Sequence, residues 1–125
     1  MNQVLLIDDD SKFRTLFKRL IERKFLIKVT EAEDGNAGLE LLYKTSPGLI
    51  FLDIDMPGLN GLEFLQKIRE TGSNVPIVVI TSHNEKEFVE KIIQYNISGY
   101  LLKTAYTSQL ADHLEKIFQK FGNPN

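Results

Sequence analysis

The chain has 125 residues, 42% of them hydrophobic and 26% charged, with a formal net charge of -2 and no cysteine. These values suit one domain around one core and exclude a disordered chain or a disulfide framework. The lack of a basic excess argues against direct nucleic-acid binding by this domain. No apolar run approaches the roughly 20 residues that span a bilayer, so no membrane contact is expected. The run Val4–Ile7 is ended at once by three aspartates, which is no signal peptide, and a cytoplasmic location is expected.

Two hydrophobic periods alternate along the chain. Val4–Ile7 is a short continuous apolar run, the pattern of a strand buried on both faces. Phe13, Leu16, Phe17, Leu20 and Ile21 then recur at helical spacing, with Lys12, Arg14, Lys18, Arg19 and Arg23 on the other face. Asp10 or Ser11 can cap that helix. Ile27–Ala32 reads as a second strand. Asp34 can cap a second helix reaching about Lys44, which Gly38 weakens by about 1 kcal/mol relative to alanine.

A third strand, Leu49–Leu52, ends at Asp53, and the loop from Met56 to Gly61 is rich in turn residues. Leu62, Leu65 and Ile68 share one face of a third helix. Pro76–Ile80 is a fourth strand ending in Thr81 and Ser82, and Phe88, Val89, Ile92 and Ile93 mark a fourth helix. Gly99–Leu102 is a fifth strand ending at Lys103. Leu110, Leu114, Ile117, Phe118 and Phe121 mark the last helix. Five strand–helix units in alternation predict an α/β fold, a parallel sheet covered by helices on both faces. Residues 1–125 read as a single domain, with 121–125 a C-terminal tail or the start of a truncated linker.

In such sheets, sites form at the carboxyl ends of the strands. The first strand ends in Asp8, Asp9 and Asp10, the third in Asp53 with Asp55 two residues on, the fourth in Thr81, the fifth in Lys103. Asp10 is read as a helix cap. Capping does not account for Asp8 and Asp9, whose charges repel that of Asp53 unless a cation neutralises them. A hard divalent metal such as Mg²⁺ suits an all-oxygen site of this kind. Lys103 then supplies a point charge, and Thr81 a hydroxyl, for a phosphoryl oxygen. Ser82 and His83 are read as loop residues. An EF-hand reading of the loop that starts at Asp53 fails, because its fifth position is Pro57 and its twelfth is Phe64.

Taken in order, Leu6-Ile7-Asp8-Asp9-Asp10, Leu52-Asp53-Ile54-Asp55-Met56-Pro57-Gly58, Asn60-Gly61, Ile80-Thr81-Ser82 and Gly99-Tyr100-Leu101-Leu102-Lys103 resemble the receiver domain of two-component response regulators, over residues 3–121. The resemblance implies a flavodoxin-like doubly wound sheet in the order 2-1-3-4-5. It implies that Asp53 accepts a phosphoryl group from a sensor histidine kinase or phosphotransfer protein. It implies that Asp9, Asp53 and the backbone carbonyl of Asp55 ligate Mg²⁺, with Asp8 acting through a metal-bound water. Thr81 and Lys103 are implied to hold the phosphoryl oxygens, and Tyr100 to turn inward when Thr81 moves. The output is implied to pass, through the face made by the fourth helix, fifth strand and fifth helix, to an output domain or downstream protein. A homodimer can form through the same face, around Phe88, Tyr95 and Tyr106. Such a domain is a signalling module that catalyses only its own phosphorylation and dephosphorylation.

Thr104 follows Lys103 where most family members have proline. A cis bond to a non-proline residue costs about 2.5–4 kcal/mol, so a trans bond is expected. The segment Gly99–Lys103 without that proline is similar to receivers that precede LuxR-type helix-turn-helix domains. Two other functions compete. Asp53-x-Asp55 superficially matches a haloacid-dehalogenase-like phosphatase, whose second aspartate is a general acid. A pseudo-receiver would bind partners without being phosphorylated.

Overall fold

The structure, a computed structural model, describes residues 3–56, 61–82, 86–103 and 107–121. In chain order the elements are β1 (Gln3–Ile7), α1 (Ser11–Phe25), β2 (Lys28–Ala32), α2 (Gly35–Thr45) and β3 (Ile50–Asp53). They continue with α3 (Gly61–Glu70), β4 (Ile77–Thr81), α4 (Lys86–Ile93), β5 (Gly99–Leu102) and α5 (Thr107–Phe121). The strands pair in parallel in the order β2-β1-β3-β4-β5, as expected. Strands β3 and β4 each begin one residue later than the apolar pattern predicts and take in Asp53 and Thr81 at their ends.

Strand pleating divides the core into two layers. Val4, Leu6, Phe51, Val78, Ile80 and Leu101 face α1 and α5, against Phe13, Phe17, Ile21, Leu110, Leu114 and Phe118. The alternate residues Leu5, Ile7, Ile50, Leu52, Ile77 and Val79 face the other way, against Leu42, Phe64, Leu65, Ile68 and Ile92. Burial of both faces is why these strands read as unbroken apolar runs. Aromatic rings stitch the first layer. Phe13 stacks on Phe17 at 5.3 Å, and Phe17 meets Phe51 edge-on at 4.9 Å.

Asp10 and Asp34 cap their helices, accepting from the amides of Lys12 and Phe13 and of Ala37 respectively. Tyr95 is half-buried and packs against the second core layer. Ile93, apolar and at helical spacing, is 54% exposed. The Phe88 side chain and Tyr106 lie outside the described residues, as do His83 and the Lys103–Thr104 bond. At the amino edge of the sheet the Arg69 guanidinium donates to the carbonyls of Ser73, Val75 and Asn96 at 3.2, 2.7 and 3.0 Å. One side chain thereby ties the turn after α3 to the turn after α4.

Two helical glycines mark close approaches. A Cβ on Gly38 would lie 2.5 Å from Ile7 Cδ1, the tip of a side chain. A Cβ on Gly61 would lie 2.5 Å from Ile54 Cβ and 2.8 Å from Ile54 Cα and O, which cannot swing away. Gly61→Ala is expected to destabilise the fold by about 1–3 kcal/mol through overpacking. Gly38→Ala is expected to cost less, because the Ile7 tip can shift and alanine gains about 1 kcal/mol of helix propensity. Urea unfolding of both variants checks this ranking, and the reverse order contradicts it.

Candidate functional site

Backbone hydrogen bonds carry the sheet ladder just past the strand ends and fix where the polar side chains start. The Asp8 amide donates to the Ala32 carbonyl at 3.0 Å, Ile54 to Ile80 at 3.2 Å, and Lys103 to Thr81 at 2.8 Å. The pleat then sorts the side chains. Asp8 follows the parity of Val4 and Leu6, Asp53 that of Phe51, and Lys103 that of Leu101, so all three fall on the α1–α5 side. Thr81 follows the parity of Ile77 and Val79 and falls on the other.

Asp8 is fully buried and Asp53 is 2% exposed. Lys103 Nζ sits 3.1 Å from Asp8 Oδ2, 3.3 Å from Asp53 Oδ2 and 3.8 Å from Asp10 Oδ2. The same ammonium lies 4.7 Å above the centre of the Phe13 ring. Arg14 Nη1 donates to the Asp8 carbonyl at 2.7 Å, bracing the turn that carries the acidic pair. Sequence patterning placed Phe13 in the core and Arg14 on the outer face. Their contacts with the site become visible only once α1 is seen to start at the carboxyl edge of the sheet, within reach of the Lys103 side chain and the Asp8 carbonyl.

Burial disfavours the charge on Asp8, and the neighbouring negative charge of Asp53 adds to the effect. The Asp10 amide and Lys103 oppose it, and the net result lifts the Asp8 carboxyl from 3.8 to about 6. For Lys103, burial pulls the pKa down, but the charges of Asp53 and Asp8 more than reverse it, so the ammonium is held above its ordinary value. Lys103 is therefore a fixed cation at neutral pH.

One ammonium does not balance three carboxylates. Asp8, Asp9 and Asp53 each offer an oxygen, all within 4.8 Å of one another. Asp8 Oδ2 is buried and forms an ion pair with the Lys103 ammonium at 3.1 Å, and among the described residues no other donor reaches it. A buried carboxylate oxygen whose one cation is shared with Asp53, set among hard anionic donors, fits a hard divalent cation such as Mg²⁺.

Asp55 turns elsewhere. Its amide donates to Asp53 Oδ1 at 2.8 Å. Its carboxylate Oδ2 accepts from the Thr81 hydroxyl at 3.1 Å and from the Ser82 amide at 2.8 Å. The fold thus brings Asp8, Asp9, Asp53 and Lys103 into one cluster and joins Thr81 to Asp55 beside it. Ser82, read from the sequence as a loop residue, contributes its backbone N–H. Tyr100 is 46% exposed, an outward position for the expected switch aromatic.

The raised Asp8 pKa gives a signed expectation for the metal-free protein. The folded state favours neutral Asp8, so its stabilising contribution is complete below pH 3.8 and is lost as pH rises through about 6. Asp8→Asn lacks that loss. In EDTA, its stability relative to wild type is expected to rise by about 1–3 kcal/mol between acidic and neutral pH. Urea unfolding at both pH values measures the difference, and a pH-independent difference contradicts it.

Comparison with known proteins places these features in a family. The family model described as the response regulator receiver domain matches residues 4–115. The chain is 45% identical over 101 residues to the nitrate/nitrite response regulator protein NarL of Escherichia coli, covering 80% of this chain and 47% of that protein. It is 32% identical over 119 residues to the transcriptional regulatory protein DegU of Brevibacillus brevis, covering 94% of this chain and 50% of that protein. The chain therefore spans about half the length of these two relatives. The solved REC domain of AraT, a response regulator from Geobacillus stearothermophilus, superposes with a TM-score of 0.79 at 31% identity, over 96% of this chain and 95% of that one. Among the described residues no helix is long and apolar enough to cross a membrane. A five-stranded parallel sheet in the order 2-1-3-4-5, with acidic residues and a lysine gathered at its carboxyl edge, meets that match on every strand, and the chain belongs to the response regulator receiver domain family of two-component systems.

Proposed function

We propose that this domain is a phosphorylation-operated switch with Asp53 as the phosphoryl acceptor. The observation that carries the reading is the Lys103 ammonium held between Asp8 and Asp53 at 3.1 and 3.3 Å, beside a three-carboxylate group that fits Mg²⁺. An Asp53 oxygen attacks the phosphorus of a kinase or phosphotransfer-protein phosphohistidine. The new P–O bond forms as the P–N bond breaks, and its electron pair returns to the imidazole nitrogen, which takes up a proton. The product is an aspartyl phosphate, and hydrolysis returns the carboxylate and inorganic phosphate. A carboxylate is a competent nucleophile for such a step, and most of the catalysis is positioning and charge stabilisation.

Asp8, Asp9, Asp53 and the Asp55 carbonyl would hold Mg²⁺, which when bound neutralises charge on the transferring group. Lys103 pairs first with the Asp53 carboxylate and then with a phosphoryl oxygen, and Thr81 donates a second contact. The switch then acts on the face of α4, β5 and α5, where Tyr100 and Ile93 are exposed. In this reading the domain is no turnover enzyme, works in the cytoplasm and receives its signal from a sensor histidine kinase. Coupling to a transcriptional output domain is supported by the DegU relative, which carries a comparable length of chain beyond the match.

Incubation with acetyl phosphate and Mg²⁺ is expected to add one phosphoryl group by intact mass. EDTA or Asp53→Asn is expected to abolish the addition, and Lys103→Ala to slow it roughly 10- to 1,000-fold, the range for removing one preorganised charge contact. A folded, Mg²⁺-loaded wild type that stays unmodified would instead favour a pseudo-receiver.

A further inference from the structure

We infer that the Asp55 carboxylate is an internal competitor for the donors that a phosphoryl group on Asp53 needs. This rests on the phosphoacceptor reading. Thr81 is the hydroxyl assigned to a phosphoryl oxygen, and the Ser82 amide is the next donor along the same strand end. Both aim at a single oxygen, Asp55 Oδ2, at 3.1 and 2.8 Å. A carboxylate oxygen receiving one hydroxyl and one amide is the local stand-in for an oxygen of a phosphoryl group. Thr81 is fully buried, so solvent does not readily take over as acceptor if the carboxylate leaves.

Asp55 is also fastened to the acceptor residue, because its own amide donates to Asp53 Oδ1 at 2.8 Å. It therefore bridges the two halves of the reaction, the nucleophile through its backbone and the oxygen donors through its side chain. An arriving phosphoryl group meets donors already in use and a negative charge beside them. For Thr81 and Ser82 to engage it, Asp55 must yield, and like-charge repulsion pushes it outward once the dianion has formed. Asp55 thus slows loading of the domain and couples Thr81 movement to phosphorylation. In this role Asp55 is a positioning residue acting through Thr81 and Ser82.

The test is a double-mutant cycle on the full chain, with wild type, Asp55→Ala, Thr81→Ala and the double variant. Acetyl phosphate is the donor, at Mg²⁺ concentrations saturating for each variant. Asp53 attacks its phosphorus, the P–O bond to the acetyl group breaks, and its electron pair leaves on acetate. Asp55→Ala is expected to load roughly three- to tenfold faster than wild type, the net value of one released hydrogen bond. In the Thr81→Ala background the gain is expected to shrink at least threefold, a coupling of about 0.6 kcal/mol by the standard conversion. Asp55→Asn, isosteric and uncharged, is expected to fall between, and it carries the test should the alanine variant not fold. A second readout is independent of turnover: the Ser82 amide proton of the unphosphorylated protein is expected to move upfield in Asp55→Ala. A gain that is absent, or equal in both backgrounds, or an unmoved Ser82 amide overturns the inference while leaving the acceptor reading intact. A wild type that takes no phosphoryl group overturns both.

Discussion

Everything at the carboxyl edge of this sheet depends on keeping two buried carboxylates next to one half-buried ammonium. Isolated, each of these charges would be costly to bury, by several kcal/mol. Together Asp8, Asp53 and Lys103 hold each other in place at 3.1–3.3 Å, and the cluster still carries excess negative charge. That residual charge, with a buried Asp8 oxygen whose one cation is shared with Asp53, is what makes the site receptive to a cation. The surrounding fold serves this arrangement. The ladder beyond β1 and β5 sets the backbone positions, the Phe13 ring lies under the ammonium, and Arg14 braces the turn after β1.

The strands were legible in the sequence because parallel strands covered on both faces leave no polar alternation. The same burial hid which residue of each strand faces which layer. Two apolar layers look alike in one dimension, and only pairing and helix placement separate Leu5 from Leu6. Asp8, Asp53 and Lys103 were legible as a set because a parallel fold stacks strand ends, so position along the chain converts directly into position in space. Ile93 shows the limit of periodicity. Its spacing matches a buried helix face, yet it lies outside, since the angular width of the buried stripe on a short helix depends on what packs against it.

The direction of the Asp55 carboxylate was not legible. The resemblance to receiver domains implied a role for Asp55 near the metal through its backbone carbonyl. Its side chain instead crosses to β4, because the turn after β3 brings it beside the donors at Thr81 and Ser82. The Phe13 ring over Lys103 was equally out of reach, being a contact between residues 90 positions apart in the chain. Both contacts depend on how turns leave the sheet, which local composition does not encode.

The Arg69 guanidinium has an implication for where motion can go. By drawing the carbonyls of Ser73, Val75 and Asn96 onto one planar cation, it makes the amino edge of the sheet a fixed base under β4 and β5. In the proposed switch, rearrangement at the carboxyl edge would pivot on this base rather than travel through it. On the proposed function the molecule would have an anchored pole and a responsive pole. A reporter or fusion attached at the anchored pole would ride with the scaffold and leave the responsive pole free for partners.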